Sequence, residues 1–171
     1  MAILDTARVN ATNIQNQSFA NLYNLLNNRS NVPNPVNSDG TTKFVYVRLP
    51  NTGRGFKGFP FIVIHRSKIS KTRTTVSLTK SFMSYDFTVQ VFCQDEDSDS
   101  EGNAIGSAQC DLITDNIMKT LNNATNRKSL INNGMARLEY NVETDEDEFE
   151  GRRVFTSEFD IRFEETLLLT T

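Results

Sequence analysis

An enzyme that transfers or hydrolyses a group near neutral pH commonly holds a base beside a nucleophile, and histidine is the usual base. The chain of 171 residues has one His and two Cys. His65 ends the most apolar run, FPFIVIH, next to Arg66 and with no carboxylate nearby in sequence, so it reads as a strand-end histidine without catalytic duty. Cys93 and Cys110 form no CxxC pair; one closes a strand pattern, the other lies on an amphipathic helix pattern, and both read as small apolar residues. Asp95, Asp97, Asp99 and Glu101 alternate as the oxygen ligands of a calcium loop would. An EF-hand loop then requires Gly at its sixth position and Glu at its twelfth, where this chain has Ser100 and Gly106. A solvated acidic loop explains them better, and the same holds for Asp145, Glu146, Asp147 and Glu148. GRGFKG at 53–58 lacks the GK[ST] ending of a phosphate loop and precedes a strand pattern instead of a helix. Neither a catalytic residue, a metal site nor a cofactor is expected.

Surface charge carries more information. The net charge is -3, yet nine basic residues and no acid fall between Lys43 and Lys80, while 18 acids and seven bases lie from Asp95 onward, 7 - 18 = -11. Such a chain suits either nucleic acid at its basic half or copies of itself docked basic patch to acidic patch. The candidate contacts are Arg54, Lys57, Arg66, Lys68, Lys71 and Arg73 on the basic side. Asp145, Glu146, Asp147 and Glu148 are the acidic candidates, and Phe56 and Phe149, in polar surroundings, are candidate apolar loop contacts.

These residues need a scaffold. Phe19, Leu22, Tyr23, Leu25 and Leu26 share one helical face, with Ser18 as its cap, and the helix stops before NVPNPVNSDG. KFVYVRL (43–49), FPFIVIH (59–65, buried on both faces) and a short stretch at 74–78 predict strands. Tyr85, Phe87, Val89 and Val91 alternate with polar residues, as do Ala136 to Val142 and Phe155 to Phe163. Ile105, Ala108, Leu112, Ile113, Ile117 and Leu121 predict an apolar helix stripe capped by Ser107. Asn122 and Asn123 weaken its end, a loop with Asn133-Gly134 follows, and TDEDEFEGRR predicts an extended connection between the last two strands. The expected fold is α+β: one mainly antiparallel mixed sheet with two amphipathic helices packed on it and long polar loops. One domain spans 1–171, with 1–13 as an extended arm and 166–171 as a C-terminal tail. No apolar run nears the ~18 residues that cross a bilayer. MAILDTARVN lacks a signal's basic flank, and two unpaired cysteines suit a reducing compartment, so synthesis in the cytoplasm without membrane contact is expected.

Taken in order, the N-terminal helix around Phe19 to Leu26, FPFIVIHRSKIS with its basic exit, and SYDFTVQVFCQDEDSDSEGNAIGSAQCDLITDNIMKTL followed by strands ending at RVFTSEFDIRFEE resemble the tail terminator (tail completion) proteins of long-tailed bacteriophages and related archaeal viruses. The resemblance covers most of residues 14–165 as a pattern of elements. It implies a virion protein without catalysis, which assembles in the host cytoplasm as a homo-oligomeric ring, a hexamer by family likeness. That ring caps the tail tube at its head-proximal end, stops its polymerisation and offers a surface to the head-tail connector, with DNA only passing through. Segments 31–42 and 143–153 have no counterpart in the family pattern. The alternatives are a neck, connector or other tail subunit of similar fold and, from another class, a nucleic-acid-binding module using 43–80.

Overall fold

Alternating apolar and polar residues give one segment two unlike faces, and several such segments lie flat only as a sheet with one covered side. The computed structural model describes residues 11–33, 44–50, 58–73, 80–94, 105–132, 135–149 and 151–168. It contains helices α1 (Ala11–Leu26), α2 (Ile105–Asn122) and α3 (Ala124–Asn132), and strands β1 (Val45–Tyr46), β2 (Phe61–Arg73), β3 (Lys80–Gln94), β4 (Ala136–Phe149) and β5 (Arg152–Leu168). The strands form one sheet in the order β1-β2-β3-β5-β4. Only β1 and β2 run parallel; the other neighbours are antiparallel. The architecture is the expected α+β, mainly antiparallel mixed sheet.

The core lies on one face. Ile62 and Ile64 of β2, Tyr85 to Cys93 at alternate positions of β3, and Phe159, Ile161 and Phe163 of β5 bury against Leu22 and Leu26 of α1 and Ile113, Ile117 and Leu121 of α2. Each fully buried Ile or Leu contributes roughly 1.5–3 kcal/mol, so packing rather than helix propensity holds the two helices down. Phe61 and Val63 point the other way and join Tyr46, Phe92 and Val154 in a second buried cluster, which is why the expected double burial of this strand is observed.

Several expectations need correcting. Ser18 is no cap: α1 begins at Ala11 and Ser18 is buried within it, so 11–13 belong to a helix and not to an arm. Among the described residues of the run at 43–49, the strand is Val45–Tyr46, and Val47 and Leu49 are exposed. The buried stripe of α2 runs through Cys110, Ile113, Thr114, Ile117, Thr120 and Leu121, while Leu112 is 49% exposed and Ala108 faces solvent. Two threonines take stripe positions because their hydroxyls find partners: Thr114 Oγ1 donates to Ser157 Oγ at 2.8 Å and Thr120 Oγ1 to the Asn31 carbonyl at 3.0 Å.

Residues 124–132, expected as loop, form α3. Asn123 ends one helix and caps the next, its Oδ1 accepting the amides of Thr125 at 2.9 Å and Asn126 at 3.1 Å. The connection at 143–153 is not extended either. β4 pairs with β5 as far as Phe149 and Arg152, and Gly151 takes φ 75° beside that last pair. Cross-strand charges favour this pairing, with Glu146 paired to Arg153 and Glu148 opposite Arg153 in register. β5 runs through Leu168, so 166–168 are strand rather than tail. The stretches 1–10, 74–79 and 95–104 lie outside the described residues, and with them the predicted short strand and the Asp95, Asp97, Asp99 and Glu101 alternation.

Candidate assembly surfaces

The candidate basic residues that are described lie on β2. β1 pairs only with Ile62 and Val63, so among the described residues no strand lies outside β2 from Ile64 to Arg73. Arg66, Lys68, Lys71 and Arg73 fall on that length, and a break in register between Arg66 and Lys68 adds local twist. Arg66 is exposed, yet its guanidinium stacks 4.2 Å from the centroid of the Phe19 ring on α1, so its position is fixed by its own helix. Lys68, Lys71 and Arg73 stand opposite Asp86, Met83 and Ser81 of β3. Arg54, Phe56 and Lys57 lie outside the described residues.

The acids occupy the far side of the sheet. Asp145, Glu146, Asp147 and Glu148 are all exposed on β4, the edge strand. Period-two alternation sends them to both faces, and repulsion is partly relieved because Glu146 pairs with Arg153. Asp145 Oδ1 also accepts the Glu146 amide at 2.8 Å, and Asp147 Oδ1 the Glu148 amide at 2.7 Å. β3 and β5 separate this strand from β2, so the positive and negative strands border opposite sides of one sheet.

Phe149 ends β4 and is half-buried against its own chain. Its ring lies 6.0 Å from Phe59, 5.9 Å from Phe61 and 5.8 Å from Phe92, centroid to centroid. Those contacts belong to the second cluster.

Beyond the second cluster, the sheet face away from α1 and α2 is polar over residues 86–90 of β3 and 158–162 of β5. Thr88 donates to Asp160 at 3.2 Å, Gln90 to Glu158 at 2.6 Å, and Arg162 Nε meets Asp86 Oδ1 at 3.1 Å. A groove of about 490 Å³ here is lined by Asp86, Glu139, Asn141, Asp160 and Arg162, of which Arg162 already pairs with Asp86. His65 sits on this face opposite Thr88. No group of three or more His, Cys, Asp or Glu side chains among the described residues is placed to hold a metal ion. None of the described helices is long and apolar enough to cross a membrane.

Composition gave no hint that the two cysteines meet. Cys93 lies opposite Phe155 in the β3–β5 register, and Cys110 of α2 comes down on the same spot, its Sγ 3.8 Å from the Phe155 carbonyl and 3.3 Å from Ser157 Oγ. Both thiols are free and buried in the same core cluster. The Cys93 S–H, followed by the Ser157 and Thr114 hydroxyls, stabilises a Cys110 thiolate and pulls that pKa down to about 7 from 9.0. Cys93, beside that thiolate and buried, is pushed up. Only the helical phase of Cys110, in step with Ile113, Ile117 and Leu121, could have shown beforehand that it faces the sheet.

The chain matches no protein-family model and no curated protein.

Proposed function

We propose that this chain is a structural subunit of a viral tail, of the tail terminator type, which closes into a ring by docking one side of its sheet onto the opposite side of the next copy. The observation that supports this is the sheet order: a strand carrying Arg66, Lys68, Lys71 and Arg73 on one side, a strand carrying Asp145 to Glu148 on the other, two strands between. Heterologous contact needs two unlike patches on one molecule, and a suitable rotation between copies closes the ring. Exposed ion pairs contribute only ~0–1 kcal/mol each, so charge sets orientation and encounter rate while apolar contacts supply most of the holding energy. The tube end and the head-tail connector are the further partners, with DNA threading the channel.

A charge-swap experiment tests the ring. One variant carries Arg66, Lys68 and Lys71 changed to Glu, the other Asp145, Glu146, Asp147 and Glu148 changed to Lys. Each alone is expected to stay monomeric by mass measurement at near-physiological salt, and an equal mixture is expected to assemble in alternation. Normal assembly of both separate variants would refute the contact. In the parent virus, loss of the gene is expected to give overlong, headless tails; tails of normal length left unattached would favour a connector. A second reading, nucleic-acid binding through residues 43–80, rests on the same positive strand and would show as tight, salt-sensitive DNA binding by a monomer.

A further inference from the structure

Two thiols that meet across a helix and a strand are a reactive pair when one of them can be reached. Cys110 lines a cavity of about 310 Å³ between α2 and the β4–β5 hairpin, whose walls include Ser107, Asp111, Thr144, Asp145 and Thr156. Two hydrogen-bonding states are built in. As a thiol, Cys110 donates to the Phe155 carbonyl; as a thiolate, it accepts from Ser157, whose own oxygen accepts from Thr114, and Cys93 lies across from Phe155 in the same core cluster. A sulfur with donors already aimed at it is the reacting partner, and a buried neutral thiol beside it is a resolving partner.

We propose that Cys93 and Cys110 are a modification site for small neutral hydroperoxides, which close them into an intramolecular disulfide joining α2 to β3. The Cys110 thiolate attacks one peroxide oxygen, the O–O bond breaks, and the departing hydroxide takes the proton that Cys110 had released. Cys110 is then a sulfenic acid. The Cys93 sulfur attacks it, the S–O bond breaks, and the leaving hydroxyl carries off the Cys93 proton as water. Two thiols and one hydrogen peroxide become one disulfide and two waters. Asp111, Asp145 and Glu146 on the cavity wall set the class of oxidant, because they repel anionic disulfides such as oxidised glutathione. The site does not depend on ring formation.

The reduced full chain is treated with hydrogen peroxide at neutral pH, quenched, unfolded and digested for peptide mapping. Both thiols are expected to disappear together, with the Cys93 peptide linked to the Cys110 peptide in monomeric chains. Oxidised glutathione at the same concentration is expected to act at least about tenfold more slowly. C93S is expected to stop at a sulfenic acid on Cys110 that dimedone traps, and C110S to leave Cys93 unreacted. Thiols that stay free in the native chain yet react once it is unfolded would overturn the proposal. So would links formed only between chains, or a glutathione adduct as the main product. Mapping of the unsubstituted chain decides the matter even if a variant does not fold.

Discussion

Phe149 separates two accounts of the acidic hairpin. As an interface anchor it would cost nothing to the isolated subunit when removed. As a member of the second cluster it supports the fold, touching Phe59, Phe61 and Phe92 at ring separations of 5.8 to 6.0 Å. Truncating a fully buried Phe to Ala costs about 3–5 kcal/mol, and three aromatic contacts are worth about 0.5–1.5 kcal/mol each beyond area burial. Phe149 is half-buried. Halving the transfer share and keeping part of the ring contacts leaves about 2 kcal/mol for F149A, or a Tm lower by roughly 4–8 °C in a chain of this size. The assay is urea and thermal unfolding at a dilution where the protein is monomeric, with near-UV circular dichroism reporting the ring environment. An unchanged midpoint in both, together with lost self-association, would refute a core role and make Phe149 a contact between copies.

Other outcomes follow from the same geometry. N123A removes the acceptor of the Thr125 and Asn126 amides and is expected to destabilise the chain by about 1 kcal/mol, read as a lower urea midpoint with unchanged slope. R162A breaks an exposed pair with Asp86 and is expected to cost under about 1 kcal/mol, shrinking further in high salt. Stability should also follow the two thiols. Cys110 loses its proton at about 7 in the folded chain against 9.0 unfolded, so the unfolded chain binds more protons in that window and stability rises by at most about 2 kcal/mol from pH 7 to 9. Cys93 acts oppositely: its raised value means its contribution is complete below 9.0 and is lost above it. C110S should flatten the rise in urea midpoints measured across that range; a wild-type midpoint that falls between pH 7 and 9 would contradict the assignment of the thiolate.

The strands were legible wherever period two was clean. Tyr85 to Val91, Leu138 to Val142 and Phe159 to Phe163 each face the core as the alternation required. Errors arose where side-chain type and structural role part company. A run of acids looked like loop because like charges stay in water, yet an edge strand offers water on both faces, so Asp145 to Glu148 can be strand and solvated together. Asn122 and Asn123 looked like a helix ending, and they are, but an Asn that stops one helix also starts another by capping it. Hydrophobicity alone puts Leu112 in the α2 stripe and polarity keeps Thr114 and Thr120 out of it, whereas in the fold Leu112 is exposed and both threonines are buried. The convergence of Cys93 and Cys110 depends on how α2 is set against β3 and β5, a tertiary fact that no local pattern contains.

The last described strand, β5, is also an inner one, held between β3 and β4. A nascent chain that has emerged only as far as residue 151 therefore has two long ladders with no mate, and its apolar helices have half a floor to sit on. Cooperative closure must wait for residues 152–168, so a shortened translation product ending before them cannot masquerade as a finished subunit and enter an assembly it would spoil.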